Sequence, residues 1–273
     1  MKLLAIIENT IRESIAKKTM IGFFAISNVI LCIMLLVALF SDFDLNVKLQ
    51  GLEQFSNSGS PLETLVRTIE LMIANLLYMA AIFLSIFATA SIMPNTLEKG
   101  VIDLLISKPV SRSTILAGKF IGGTLIVLFN VAYYIVGMWL IISFRTGYWD
   151  SGFLLTIFPI TFAFIVLYVF LLFIGVTTRS SALGIILAYG FLIILSPLLA
   201  KREIFLYAIS SSETYRGVVD ALYYILPKPD DISSLMNNVI LHSEINWMPV
   251  WSSAIFAGVL YGLTQYIFSR KDF

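Results

Sequence analysis

Gly118 and Lys119 form the only Gly-Lys pair in the chain. A nucleotide phosphate is held by the pattern G-x(4)-G-K-[ST], whose backbone amides and lysine ammonium face the phosphate oxygens. Here Phe120 follows the lysine and the upstream glycine is missing, so the pair builds no phosphate loop. The single histidine, His242, has Glu244 two residues on. One histidine without an acidic partner in an apolar run cannot assemble the usual zinc or Ser/His site. The lone Cys32 sits inside an apolar run, which leaves no internal disulfide and no cysteine metal motif.

The remaining cluster of polar chemistry is EKGVIDLLISKPVSR, residues 98–112, set between long apolar runs. On a helical wheel Leu97, Val101, Ile102, Leu104, Leu105 and Ile106 share one broad face. Lys99, Gly100, Asp103 and Ser107 share the other. The spacing predicts an amphipathic helix over residues 97–107. Pro109 stops it, and Lys108, preceding a proline, is pushed out of helical geometry. Ser111 or Ser113 then caps a new helix starting near Thr114. Glu98 falls on the apolar side, where an unpaired carboxylate is costly, so either Arg112 or Lys119 pairs with it or it snorkels to solvent at the membrane boundary. A stiff helix at this place can transmit motion to a soluble partner; equally, it could lie on a surface with no partner.

The elements that must position this stretch are set by a membrane-class composition. Of 273 residues 59% are hydrophobic and 13% charged, with mean hydropathy +0.92. A hydrocarbon core about 30 Å thick needs roughly 20 apolar helical residues. Six spans are expected, at about 20–40, 71–93, 115–144, 153–176, 182–200 and 250–268. The third is uninterruptedly apolar from residue 120, and none of the apolar runs holds Asp, Glu, Lys, Arg or His. Continuous rather than alternating runs favour helices over a barrel. The first run is longer than a signal-peptide core and lacks a small-x-small cleavage site, so it reads as a retained span.

With the N-terminus inside, eleven Lys and Arg residues fall on the inner side and seven on the outer, although the outer loops are longer. The positive-inside rule then gives an N-in, C-in topology. Residues 1–19 read as an interfacial helix, with Leu4, Ile7, Ile11 and Ile15 on one apolar face and Ile6 breaking the pattern. Residues 95–113 form the inner loop, and 201–249 an outer loop with short or re-entrant helices. The whole chain, 1–273, reads as one all-α transmembrane domain. Gly118 and Gly122 have the small-xxx-small spacing that lets helices approach closely.

Glu98, Gly100, Leu104, Leu105, Pro109, Arg112 and Lys119 reproduce E-x-G-x(3)-L-L-x(3)-P-x-x-R-x(6)-K. This resembles the loop between the second and third spans of ABC-2-type transporter permeases, a six-span family with an N-terminal elbow helix. Val101 stands where that family usually has threonine. YYILPKPDDI, residues 223–232, is similar to the external segment before the family's last span.

The resemblance implies a permease subunit of an ATP-binding-cassette exporter in a prokaryotic cytoplasmic membrane. It implies two partners, a nucleotide-binding ATPase subunit and a second permease subunit, either a copy or a paralogue, and no nucleic acid. ATP and Mg would sit on the ATPase, and this chain would bind no cofactor and catalyse nothing itself. Coupling would run through Leu97, Glu98, Gly100, Val101, Leu104, Leu105, Ser107, Lys108, Pro109, Arg112 and Lys119. A second contact would be the turn at Thr178, Arg179 and Ser180.

Two other classes stay open at this point. An ion-coupled carrier would commonly place carboxylates or histidines within its spans, and these runs have none. A non-catalytic scaffold is set aside only by the family pattern. Asn28, Asn75, Asn130, Thr89, Thr161 and Gln265, the notable polar residues of the runs, are expected to hydrogen-bond between helices rather than bind a ligand.

Overall fold

The computed structural model describes residues 2–16, 18–40, 61–102 and 110–271, and every regular element among them is helical. Helix α1 (Lys2–Ala16) meets α2 (Thr19–Phe40) through Lys18 in a left-handed conformation, with a bend of 67° between them. Helix α3 (Pro61–Thr89) runs on, after a break at Ala90 and Ser91, into the short α4 (Ile92–Thr96). Helix α5 is Arg112–Thr146, followed by α6 (Ser151–Leu155) and α7 (Ile157–Thr178). Helix α8 (Ser181–Gly190) passes through a π turn at Phe191–Leu195 into α9 (Ser196–Ala200). Four more follow: α10 (Arg202–Phe205), α11 (Glu213–Ile225), α12 (Pro229–Ile240) and α13 (Met248–Arg270).

Helices occupy all six apolar runs. Four are long and apolar enough to cross a membrane: Glu63–Thr96, Arg112–Thr146, Ser151–Thr178 and Ser181–Ala200. The bent pair α1 and α2 makes a fifth if it is taken as one span. Helix α13 has the length, but Trp251, Ser252, Ser253, Thr264 and Gln265 lower its hydropathy.

Local signals set the boundaries. Ser111 caps α5, its Oγ accepting from the Thr114 amide at 3.2 Å. Asp150 Oδ1 caps α6 through the Gly152 amide at 2.8 Å, and Ser180 Oγ caps α8 through Leu183. Gly147 (φ 72) and Arg179 (φ 57) end α5 and α7 in the left-handed conformation that closes a helix by satisfying a late carbonyl.

Helix α7 is the centre of the bundle. It is apolar all round, as a helix surrounded by others must be, and α3, α5, α8, α12 and α13 all pack on it. Its Ile160, Ala163, Tyr168 and Val176 are completely buried. Polar groups inside the bundle find each other. Ser27 Oγ donates to Asn130 Oδ1 at 3.0 Å, Tyr133 to Asn28 Oδ1 at 2.7 Å, and Asn75 Nδ2 to Asn237 Oδ1 at 2.8 Å. Such bonds contribute on average about 0.6 kcal/mol each in membrane proteins. Thr89 instead bonds back to its own helix at Ser85, and the buried Thr161 hydroxyl has no partner among the described residues.

Leu4 and Ile15, on the apolar face of α1, are exposed, whereas Ile6, Thr10 and Ser14, off that face, are buried against α5. Ile6 breaks the one-helix pattern because it fills the space over Gly118, while Thr10 lies over Gly122. The small-residue spacing therefore serves the crossing of α1 over α5. Gly118→Leu is expected to cost about 1–3 kcal/mol by overpacking and to lift α1 away. Thermal melting in detergent, with maleimide labelling of a cysteine placed at the buried Thr10, measures both effects.

One expectation changes at residues 97–100, expected to open a helix. They form a turn, with Gly100 at φ 90, and helical geometry resumes only at Val101 and Ile102. Gly100 permits the positive φ that a side chain would resist.

Candidate functional site

Five parts of the chain meet at one pole of the bundle: α1, the turn at residues 97–102, the start of α5, the end of α7 and the end of α13. Helix α4 carries the turn. Thr96 is fully buried, and Leu97 and Ile102 are 3% and 2% exposed, so the turn is anchored at both ends. Glu98, Lys99 and Gly100 are exposed between these anchors, and Val101 is an exposed apolar side chain at 42%. A Cβ on Gly175 would meet Pro94 at 3.1 Å, so α4 lies directly on the last turns of α7.

The second turn is drawn to the same place. Arg179 donates its backbone N–H to Gly175 O at 3.0 Å, and Thr178 Oγ1 donates to Ile174 O at 2.8 Å. Pro94, Leu97, Glu98 and Lys99 face Arg179 and Ser181 across an open cleft of about 330 Å³. Thr178 and Arg179 are exposed there, with Ser180 half-buried.

Arg112 and Lys119 are committed elsewhere than expected. Arg112 donates to the carbonyls of Phe268, Ser269 and Lys271, at 3.4, 3.2 and 2.5 Å. A guanidinium there serves the carbonyls left open at the C-terminus of α13 and opposes the negative end of its dipole. Lys271 continues the chain of contacts, its Nζ donating to Val176 O at 2.6 Å and Thr177 O at 3.2 Å at the end of α7. Burial, and then the charge of Arg179, push the Lys271 ammonium below its usual value. Lys119 is 1% exposed; its Nζ contacts Glu13 Oε2 at 2.7 Å, and its carbonyl accepts from Tyr168 at 2.9 Å. It fastens α1 to α5 inside the molecule. Neither residue is Glu98's partner.

The pole therefore gathers Glu98, Gly100, Val101, Thr178, Arg179 and Ser180 on one surface, with Leu97 buried as an anchor, and draws Arg112 and Lys119 into the scaffold beneath. Leu104, Leu105, Ser107, Lys108 and Pro109 lie outside the described residues. Glu13, Pro94, Gly175 and Lys271 escaped sequence reasoning. Pro94 was the available signal, since a proline late in an apolar run marks a break.

The arrangement supplies a basic, anchored, partly apolar surface. Among the described residues no group of three His, Cys, Asp or Glu side chains could hold a metal. At the opposite pole, α12 lies buried against α3 and α7, with Ile232, Met236 and Ile240 fully covered. Tyr78 donates to the carbonyl of Pro229, in the Leu-Pro segment that leads into this helix.

A search among curated proteins gave no match. The family model described as ABC-2 family transporter protein matches residues 4–273, which takes in both poles and every helix from α1 to α13. The chain is thus a member of the ABC-2 transporter family, a membrane permease of the ABC type.

Proposed function

We propose that this permease moves its substrate out across a prokaryotic cytoplasmic membrane, with ATP and Mg bound and hydrolysed on a separate subunit docked at the pole of residues 97–102 and 178–181. Six crossings are proposed, α2 and α13 among them, with both termini cytoplasmic. A second copy or paralogue completes the transport path. The observation that carries the reading is the shared surface of the two turns, anchored by Leu97 and Ile102, with Glu98, Lys99 and Val101 exposed and Arg179 across the cleft from them.

Force on this turn has a short route inward. Helix α4 continues α3 and rests through Pro94 on Gly175 of α7, the central helix. Displacement of the turn tilts α3 and α7 together. The surplus of Lys99, Arg179, Arg270 and Lys271 over Glu98 suits a partner with an acidic cleft.

The test uses a cysteine at Lys99. Purified from native membranes without reducing agent, the full chain is expected to carry an ATPase that crosslinks to this cysteine. In intact cells Lys99→Cys should be shielded from membrane-impermeant maleimide, and Leu241→Cys should label. A preparation without a bound hydrolase, or labelling of Lys99→Cys from outside, overturns the reading.

A further inference from the structure

At the pole away from the ATPase-facing surface, two carboxyl groups are buried together. Glu70, near the start of α3, is 1% exposed, and Asp150, in the link between α5 and α6, is 4% exposed. The Asp150 side chain lies close enough to Glu70 for the two carboxyl groups to act on each other directly. Glu70 Oε2 and Asp150 Oδ2 are both shielded from solvent with no donor among the described residues. Two carboxylates have only acceptors, so two ionised groups leave this contact without a hydrogen. Like charges at such range cannot both stay ionised in a dry site.

The surroundings neutralise the pair only in part. On α3, Arg67 acts on Glu70 and its buried Nε has no acceptor among the described residues, but its Nη2 is held by a third carboxylate, Glu63 Oε1 at 2.6 Å, so this one cation is shared among three acids. Tyr148 donates to that same Glu63 oxygen at 3.2 Å. From the end of α12, His242 Nε2 stands 3.1 Å from Asp150 Oδ1, the oxygen that also caps α6. Arg145, in the last turn of α5, is exposed, and α2 and α7 contain no charged residue.

We propose that Glu70 and Asp150 hold a single proton between them, forming a proton-operated clasp that ties the α5–α6 link to α3. One carboxyl's O–H donates to the other carboxylate, and the orphaned oxygens are satisfied. As pH rises and this proton leaves to solvent, two anions face each other without a donor, and the link separates or admits water. Asp150 is the point where that opening spreads. Its carbonyl accepts from Trp139 Nε1 at 2.7 Å, and its Oδ1 holds both the cap of α6 and His242 behind α12. The clasp thus makes the seating of α12 on α3 depend on pH, independently of nucleotide.

The test needs neither substrate nor ATPase. The full chain in lipid nanodiscs is titrated from acid to alkaline pH and followed by infrared absorption and thermal melting. The wild type is expected to show a protonated-carboxyl carbonyl band at neutral pH that fades as pH rises. Glu70→Gln, whose amide N–H replaces the shared proton, should lack this band. Its melting temperature should also fall less on the alkaline side than that of the wild type. Asp150→Asn retains the cap of α6 and provides a second variant with the same expected loss, should Glu70→Gln fail to fold. A wild type without the band, a band surviving in both variants, or parallel melting curves overturns the proposal.

Discussion

Glu13→Ala should destabilise the protein by about 3 kcal/mol, the lower end of what removing one partner of a buried ion pair costs. The ammonium it abandons is almost wholly enclosed: the Lys119 side chain is 2% exposed, and Glu13 Oε2 at 2.7 Å is its ion-pair partner. The carboxylate retains 27% of its own exposure, which places the effect low in the range. The double variant Glu13→Leu with Lys119→Met is expected to recover most of the loss, because two apolar side chains need no charge partner. Thermal denaturation of the four proteins in one detergent gives the double-mutant cycle. Additive losses in the double variant would show that the pair is not what fastens α1 to α5.

Leu104→Asp or Leu105→Asp is expected to leave membrane insertion intact and to separate ATP hydrolysis from transport. Both leucines share the apolar side of the sequence with Val101, which is exposed where the described turn ends. On the proposed docking, a carboxylate at either position loses its water when the ATPase binds. A loss of about 1.4 kcal/mol of docking energy corresponds to tenfold weaker association. Coupled transport should fall by at least that factor, while the ATPase subunit keeps its basal turnover. Reconstituted vesicles containing both subunits give hydrolysis and transport side by side. Unchanged coupling in both variants would remove this stretch from the mechanism.

The helices were legible because hydrocarbon imposes a length, and six runs without a charge can satisfy it in few other ways. Ser111 was legible for a similar reason, as a capping residue just beyond Pro109 with an apolar run ahead. Ile6 stood outside the apolar face without a reason because a wheel drawn for one helix does not show a glycine on another; Gly118 gives that side chain its place. Lys119 was assigned to the surface from its place in a motif, yet spacing along α5 does not reveal that α1 crosses there with Glu13. The targets of Arg112 and Lys271 are backbone carbonyls, which every residue possesses and no sequence marks. The start of the coupling stretch was drawn as helix because its apolar period is sound, but Gly100 turns the chain before the period can take hold.

The wide turn at Phe191–Leu195 fixes a rotational phase for everything after it. Each residue of an α-helix advances the azimuth by about 100°, so a stretch wound more loosely reaches its end facing another side than a regular coil would. On the far side, Ser196 Oγ meets the Asp230 amide at 3.1 Å, beside the first turn of α12. Homologous chains can therefore vary in which apolar residues occupy this segment, but losing or gaining one of them would swing that hydroxyl away from its mate. Chain length here is a design variable as constrained as any side chain in the protein.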